Sequence, residues 1–413
     1  METRKAMWFN ERKFGIFVHY GLYSQIERGE WTMYQEQIPC EEYQKLAETF
    51  DPSKFDAMRL ARQAKEAGAG YMVFTTNHHE GFCLFQTQYS EFNSVRYTGR
   101  DLVAEYIDAC RACDLKIGLY YSLLDWRYKG YHDRKQFPDS LKAMVQQAHD
   151  QIRELMTNYG KIDYLFFDGG WFPDVIPTDN EKSACIAELW RAKELISLIR
   201  SLQPEILVND RSGFSGDVLT PEQKTEAAKD ERLTEACMTI GDRWGWGYIH
   251  NNPNLKSTRC ILQHMIIQAS YGGNFLLNIG PTPQGTIRDC EQHILSELGQ
   301  WLRTNGESVY ATAAAPESIK SIIGECTVKK DCLYLHIFRW PDCGEAVVSG
   351  VYRKVRTVRL LENGKEFPFV QTSTGRLIIQ AIPYLAPDSK DTVFAIELAQ
   401  EDISACKEEY GLL

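Results

Sequence analysis

Short apolar runs alternate with longer amphipathic runs over the first three hundred residues, and this alternation restricts the possible folds more than any other feature. The short runs are continuously apolar, as in strands buried on both faces of a sheet, whereas the long runs space their apolar residues as helices do. Strand-like runs occupy 14–21, 70–82, 115–126, 163–168, 205–211 and 272–281, and helix-like runs occupy 56–69, 101–114, 140–160, 182–204 and 289–306. This order predicts repeated β-α units that form a parallel sheet covered by helices.

The number of β-α units favours an α/β fold with a (β/α)8-like, TIM-type barrel over an open doubly wound sheet. No G-x-G-x-x-G motif follows the first strand, which argues against a dinucleotide-binding fold. The sixth and eighth strands are hard to place in the sequence, so we expect the barrel to be irregular.

The pattern changes after about residue 316, where short alternating runs are joined by turns that contain Gly, Asn, Asp or Pro. Alternation of this kind predicts an antiparallel β-sandwich. We therefore expect two domains, a catalytic barrel over 1–316 and a C-terminal β-sandwich over 317–413. A chain of 413 residues has the length expected for one large and one smaller domain.

Charge and composition exclude several classes of partner. The net charge of −10 offers no basic surface for nucleic acid or for anionic membranes. No run approaches the roughly 18 apolar residues of a membrane span, and the first residues lack the apolar core of a signal peptide. The 12 cysteines are scattered, and Cys110 and Cys113 lack a second pair to complete a zinc site. These features predict a reduced, cytoplasmic protein.

Polar or aromatic side chains follow each predicted strand, at the point where the apolar run ends. In a parallel barrel these ends lie on one rim, where active sites form. The residues are His19, Asn77 to Glu80, Tyr121 to Trp126, Asp168, Asn209 to Arg211 and Asn278. We therefore expect one site at this rim.

Three histidines at these positions raise the alternative of a metal site. The first strand carries only His19, whereas metal-dependent barrel hydrolases commonly begin with two histidines on that strand. Adjacent His78 and His79 would point apart on an extended backbone, and no further Cys or His cluster completes a tetrahedral set. The sequence therefore predicts neither a metal nor a cofactor, and it favours hydrogen bonding of these histidines to a polyol.

Carboxylates at the same rim indicate glycoside hydrolysis, which needs one carboxylate as nucleophile or base and a second carboxyl as acid. In "DYLFFDGGW" (163–171), Asp168 ends an apolar, aromatic strand, which makes it the best candidate for the nucleophile. The acid is expected on the later acidic loop 211–241. Its candidates are Asp217, Glu222, Glu226, Glu231 and Glu235, and the residues alone leave the choice open.

An ordered set of motifs between about residues 7 and 310 resembles the α-L-fucosidases of glycoside hydrolase family 29. The motifs are "WFNERKFGIFVHYGLYS", "GEW", "TTNHHEGFCLF", "IGLYYSLLDW", "FFDGGW", "VNDRSG", "GDVLTPE" and "GGNFLLNIGP". The resemblance implies a barrel followed by a β-sandwich. It also implies exo-acting, retaining hydrolysis of terminal α-L-fucosyl residues in oligosaccharides or glycoconjugates.

The resemblance also implies roles for individual residues. Asp168 corresponds to the nucleophile and Glu222 to the acid/base of some members, with Glu235 as the rival for the second role. Residues expected around the sugar are His19, Glu30, Trp31, His78, His79, Tyr121, Trp171, Arg211 and Glu235.

Two alternative functions remain open. A retaining glycosidase of the same fold could act on a related sugar such as an α-L-galactoside, which carries a hydroxyl where fucose has only a methyl hydrogen. An inactive sugar-binding protein would need a missing carboxylate, whereas Asp168 and Glu222 are both present.

Overall fold

The computed structural model describes residues 4–175, 180–213, 216–228, 230–241 and 245–399. The first three residues of the predicted barrel domain and the last residues of the predicted sandwich domain, 400–413, lie outside the described residues. Within the described ranges, none of the helices has the length and apolar composition needed to cross a bilayer.

Eight parallel strands form the sheet of the barrel. They are β1 (Phe14–Val18), β2 (Tyr71–Thr75), β3 (Lys116–Ser122), β4 (Tyr164–Asp168), β5 (Leu207–Val208), β6 (Val218–Leu219), β7 (Leu233–Thr239) and β8 (Asn274–Ile279). Their order is β5-β4-β3-β2-β1-β8-β7-β6, and a parallel bridge between Asn209 and Val218 joins the two ends of this order. The predicted (β/α)8-like barrel is therefore confirmed.

Twelve helices accompany the barrel strands in the described residues, the first before β1 and the last after β8. They are α1 (Arg4–Arg12), α2 (Thr32–Gln35), α3 (Cys40–Tyr43), α4 (Ala57–Glu66), α5 (Ser94–Thr98), α6 (Leu102–Ala112), α7 (Lys129–His132), α8 (Pro138–Asn158), α9 (Asn180–Leu189), α10 (Ala192–Leu202), α11 (Thr258–Ser270) and α12 (Asp289–Asn305), with 3-10 turns at Leu22–Gln25, Gln44–Thr49 and Gly306–Ser308. Side chains of Asp56, Asp101 and Ser257 accept backbone N–H bonds at the starts of α4, α6 and α11. These bonds satisfy donors that the first helical turn leaves free.

The segment 211–241 contains two strands, so its interpretation as an acidic loop is wrong in part. β6 and β7 both fall within it, and β7 reads "LTEACMT". An acidic residue in the middle of a short run disguises a buried strand. Glu235 is tolerated there because tyrosine hydroxyls from two other strands reach its carboxylate. Such a long-range contact cannot be read from the local sequence.

The C-terminal region is an antiparallel sandwich, as expected. One sheet has the order β13-β16-β11-β10-β9 and the other has the order β12-β15-β14. The strands are β9 (Ala313–Ala314), β10 (Gly324–Lys329), β11 (Cys332–Ile337), β12 (Glu345–Val348), β13 (Val355–Leu360), β14 (Phe369–Gln371), β15 (Leu377–Gln380) and β16 (Thr392–Leu398). The division of the chain at 316/317 stays a prediction.

The inside of the barrel holds a core of its own, distinct from the core between the sheet and its helices. Phe9 of α1 enters this interior and packs against Tyr71 and Tyr164, with ring centroids 5.7 and 6.0 Å away. Above them lie Phe17 and Phe166, whose ring centroids are 5.0 Å apart. The interior is thus filled with aromatic rings, which form the floor of the cavity at the carboxyl ends of the strands.

Candidate active site

A cavity opens at the carboxyl ends of the barrel strands. Its lining residues are Phe17, His19, Glu30, Trp31, His78, His79, Tyr120, Phe166, Asp168, Trp171, Arg211, Glu222, Cys237 and Trp246. Most of the residues predicted for the site are in this set, whereas Tyr121 and Glu235 are not.

Asp168 is the last residue of β4, and its side chain is 15% exposed. The Tyr120 hydroxyl donates to Oδ2 over 3.0 Å, and His79 Nε2 lies 4.0 Å from the same oxygen. Burial alone raises the pKa of Asp168. The charge of Arg211, together with the Gly169 N–H and the Tyr120 hydroxyl, outweighs burial and holds the pKa below its ordinary value. Asp168 is therefore ionised at neutral pH.

Arg211 joins Asp168 to Glu222. Because Arg211 Nη1 lies 3.3 Å from Asp168 Oδ1 and 2.8 Å from Glu222 Oε2, these two oxygens are at most about 6 Å apart. Glu222 follows β6, and its side chain is 44% exposed, so it lies on the solvent side of the pair. The geometry brings together two carboxylates that differ in burial and share one cation.

His19 and His79 present hydrogen-bond acceptors to the cavity. His19 Nδ1 lies 2.6 Å from Asn278 Oδ1, and the Asn278 amide nitrogen donates to Trp246 O. His79 Nδ1 lies 2.8 Å from Ser122 Oγ, whose own proton goes to a carbonyl oxygen. These partners require a proton on Nδ1 and leave Nε2 with a lone pair.

The two rings are neutral at physiological pH. Burial lowers the pKa of His19 to about 3 and that of His79 to about 4, although Asp168 opposes both shifts. A neutral imidazole nitrogen with a lone pair can accept a hydrogen bond from a hydroxyl group. Within the part of the chain that the structure describes, no group of three or more His, Cys, Asp or Glu side chains is arranged to hold a metal ion.

The expectation that His78 and His79 point apart is wrong. Their ring centroids are 4.1 Å apart, and both rings line the cavity. The physical reason is that β2 ends at Thr75, so the backbone at these two residues is no longer an extended strand. The alternation of side chains along a strand does not apply beyond its end.

The tyrosine at the cavity is Tyr120, which corrects the prediction of Tyr121. Tyr121 faces outward from the barrel, and its hydroxyl donates to Gln151 of α8 over 2.7 Å. The parallel register pairs Tyr120 with Phe166 and Ser122 with Asp168. Residues two apart share one face of a strand, so Tyr120 lies on the same face as Asp168.

Glu30, Trp31 and Trp171 line the cavity. Glu30 Oε2 accepts the Gly247 N–H over 2.7 Å, and burial raises the pKa of Glu30 to about 7. The rings of Trp31 and Trp171 are nearly parallel, with an interplanar angle of 11° and centroids 6.3 Å apart. Aromatic faces of this kind pack well against the C–H faces of sugars.

Glu235 lies beneath the cavity, inside the barrel, which corrects its predicted place beside the sugar. The hydroxyls of Tyr71 and Tyr164 donate to its two carboxylate oxygens, the second over 3.0 Å. Burial raises the pKa of Glu235 to about 7, against the effect of both hydroxyls and of Arg211. These contacts make Glu235 part of the cavity floor.

Four lining residues were missed besides Tyr120, and we call them the apolar wall. They are Phe17, Phe166, Cys237 and Trp246. Strand alternation would have found Phe17 and Phe166, since each lies two residues before a predicted site residue on the same strand. Cys237 belongs to the missed strand β7. Trp246 lies outside the helices and strands, and no sequence signal marks it.

Comparisons with known proteins agree with one another. The family model described as Alpha-L-fucosidase matches residues 1–307. The tissue alpha-L-fucosidase of Bos taurus is 28% identical, with 94% of this chain and 86% of that protein covered. The solved alpha-L-fucosidase isoenzyme 1 from Paenibacillus thiaminolyticus has a TM-score of 0.86 at 34% identity, over 96% of this chain and 99% of that one. For an alpha-L-fucosidase GH29 from Bacteroides thetaiotaomicron, the TM-score is 0.87 at 26% identity, with 97% and 96% covered.

The buried carboxyl of Glu235 makes stability depend on pH. Its folded-state pKa of about 7 exceeds the ordinary value of 4.5, so its contribution to stability is full below pH 4.5 and is lost as pH rises through 7. Between pH 5 and pH 8 the free energy of unfolding of the wild type should fall by about 2–3 kcal/mol relative to that of Glu235→Gln, because the glutamine does not titrate. Urea unfolding at both pH values measures this change. The control is Glu231→Gln at an exposed position, whose free energy of unfolding should differ from that of the wild type by the same amount at both pH values. The same difference at both pH values for Glu235→Gln would contradict the account.

Proposed function

The chain belongs to the alpha-L-fucosidase family of glycoside hydrolases, and from this premise we propose that it removes terminal α-L-fucosyl residues from oligosaccharides or glycoconjugates with retention of configuration. Asp168 acts as the nucleophile and Glu222 as the acid/base. The observation that carries this proposal is the contact of one Arg211 nitrogen with both carboxylates.

The spacing of the two carboxylates supports a retaining mechanism. Retaining glycosidases hold their carboxyl groups about 5–5.5 Å apart, whereas inverting enzymes leave about 6.5–9.5 Å for a water molecule. The limit of about 6 Å set by Arg211 applies to one oxygen of each carboxylate, and it is compatible with the retaining spacing. Glu235 competes poorly for the acid role, because it lies outside the cavity and both of its oxygens accept tyrosine protons.

In the first step, an Asp168 oxygen attacks the anomeric carbon while Glu222 gives its proton to the departing glycosidic oxygen. The bond between the anomeric carbon and that oxygen breaks, and a β-linked fucosyl ester forms. In the second step, Glu222 removes a proton from water, the water oxygen attacks the same carbon, and the ester bond to Asp168 breaks. Two inversions give net retention.

The charges around Asp168 fit the first step. Arg211 and Tyr120 keep Asp168 ionised, as a nucleophile must be.

The apolar wall supports a fucoside over the alternative of an α-L-galactoside. It consists of three aromatic side chains and a thiol, and the rings of Phe166 and Trp246 lie 5.0 and 5.9 Å from that of Phe17. We assign this wall to the C6 methyl group of fucose. A galactoside would bring a hydroxyl to the same place, where it loses water without gaining an equivalent partner. An inactive sugar-binding protein is not favoured either, because Asp168 and Glu222 both line the cavity.

A substrate panel tests the choice of sugar. We expect kcat/KM for an aryl α-L-fucoside to exceed that for the matching α-L-galactoside by about 10-fold or more, since a buried unpaired hydroxyl costs about 1–3 kcal/mol. Panels of α1,2-, α1,3-, α1,4- and α1,6-linked fucosides then define the linkage. Equal or higher kcat/KM on the galactoside would contradict the assignment.

Replacement of Asp168 tests the nucleophile. Asp168→Gly should lower kcat by several orders of magnitude with the fold intact, because the ester can no longer form. Azide should restore turnover by attacking the opened face, and the product should be the β-fucosyl azide. Asp174→Ala, a control on a more exposed carboxylate of the same loop, should keep wild-type kcat. Near-normal kcat in Asp168→Gly would overturn the assignment.

The leaving group separates Glu222 from Glu235 as acid/base. A good leaving group departs without a proton, so Glu222→Ala should lose far more kcat/KM on a fucosyl-oligosaccharide than on a nitrophenyl fucoside. Azide should restore turnover of the nitrophenyl substrate with retained α configuration, because it attacks the fucosyl-enzyme. The matched control is Glu226→Ala, which removes the carboxylate paired with Lys224. It should keep the wild-type ratio of kcat/KM on the two substrates. If Glu235→Ala shows the leaving-group dependence instead, the roles are exchanged.

A further inference from the structure

Behind the histidines of the cavity lies a group of buried side chains that we call the polar cluster, formed by Tyr23, Glu30, Tyr43, His78 and Glu80. Each is at most 3% exposed. The hydroxyls of both tyrosines, Glu30 Oε1, His78 Nδ1 and both carboxylate oxygens of Glu80 have no hydrogen-bond partner among the described residues. Buried polar atoms are almost always paired, so this cluster needs an explanation.

Glu80 is the carboxyl of the cluster whose two oxygens both lack a hydrogen-bond partner among the described residues. It lies two residues beyond His78, and its Oε2 is 3.7 Å from His78 Nδ1, the ring nitrogen that faces away from the cavity. Gly21 leaves the room for this carboxyl, because a Cβ there would lie 3.1 Å from Glu80 Oε1 and 2.7 Å from the Tyr23 ring. At 3.7 Å the two atoms are neighbours but not hydrogen-bonded, so a hydrogen bond between them requires a small shift of the carboxyl.

The surroundings of Glu80 disfavour a negative charge. Asp125 engages the nearest cation, Arg127, through its Nε at 3.0 Å and its Nη2 at 2.5 Å. An ionised carboxylate that is buried without a donor or a cation of its own is costly. Burial raises the pKa of Glu80 to about 8, against the effect of its own backbone N–H and of Arg127, and Asp125 and Glu30 add to the rise.

We propose that Glu80 is a positioning residue for His78: its neutral carboxyl donates a hydrogen bond to Nδ1 and fixes the tautomer that presents Nε2–H to the cavity. His78 then offers the sugar a donor, whereas His19 and His79 offer acceptors. The three histidines thereby match a row of hydroxyl groups, each of which can donate and accept. The sugar itself as ligand rests on the proposed function.

This arrangement predicts a tautomer change with pH. When Glu80 ionises it can only accept, so the proton of His78 moves to Nδ1 and Nε2 becomes an acceptor. The other groups that face Glu80 hold their state over this range, apart from Glu30. Burial places the pKa values of Tyr23 and Tyr43 well above 10 and that of His78 well below 6.5, and Asp125 and Arg127 stay ion-paired.

The test is the nitrogen-15 spectrum of histidine-labelled protein without sugar, followed from pH 6.5 to 9.5, with the His78 signals assigned from His78→Gln. We expect Nδ1 without a proton at pH 7 in the wild type and its protonation with a midpoint near pH 8. Glu80→Gln should keep the pH 7 tautomer throughout, because its amide donates at every pH. Glu154→Gln, which changes a buried carboxyl of α8, is the matched control and should follow the wild type.

A second readout is the dissociation constant of L-fucose from titration calorimetry. Between pH 7 and pH 9.5 the dissociation constant should rise about 3- to 10-fold more in the wild type than in Glu80→Gln. Glu30 is present in both proteins, so its titration affects both equally and does not contribute to the difference. A proton on Nδ1 of wild-type His78 at pH 7, or the same pH course in Glu80→Gln, would overturn the proposal. If Glu80→Gln does not fold, the wild-type spectrum alone decides. Absence of L-fucose binding at every pH would count against the proposed function and leave the tautomer result to decide this inference.

Discussion

The guanidinium of Arg211 lies between Asp168 and Glu222, and the geometry of the cavity depends on this contact. Thr220 holds the guanidinium through its hydroxyl oxygen, 3.0 Å from Nε, and through its carbonyl oxygen, 3.1 Å from Nη2. The ring of Phe166 lies beneath, 5.2 Å from the guanidinium carbon. A rigid, planar cation with fixed donors can set the spacing of two carboxylates, which a flexible lysine could not do.

This contact in turn depends on how the barrel closes. Asp168 ends β4, Arg211 follows β5, and Glu222 follows β6 beside Cys237 of β7. The strands β5 and β6 each contain two residues, and the bridge between Asn209 and Val218 joins them. The shortest strands of the ring therefore carry the residues that link the two carboxylates. Below them, the aromatic interior and the carboxyl of Glu235 support the cavity floor.

The sequence predicts the barrel, the sandwich and most of the cavity, because these depend on local periodicity and on the rule that parallel strands end at one rim. Several of the failures involve information that is not local. Tyr120 and Tyr121 are adjacent, and only the register with Phe166 and Asp168 decides which of them faces the cavity. The strand β7 is hidden because the partners that satisfy Glu235 come from β2 and β4. The polar cluster behind His78 becomes visible only in three dimensions.

The central claim is that Asp168 forms a covalent bond to the sugar, and trapping that bond tests it most directly. A 2-fluoro-fucosyl fluoride reacts in the first step because fluoride leaves readily, and its 2-fluoro group slows hydrolysis of the ester because it destabilises the positively charged transition state. Proteolysis and mass spectrometry of the treated protein should locate one fluorofucosyl group on the peptide that contains Asp168. A label on Glu222 instead, or full inactivation with no covalent label, would contradict the account.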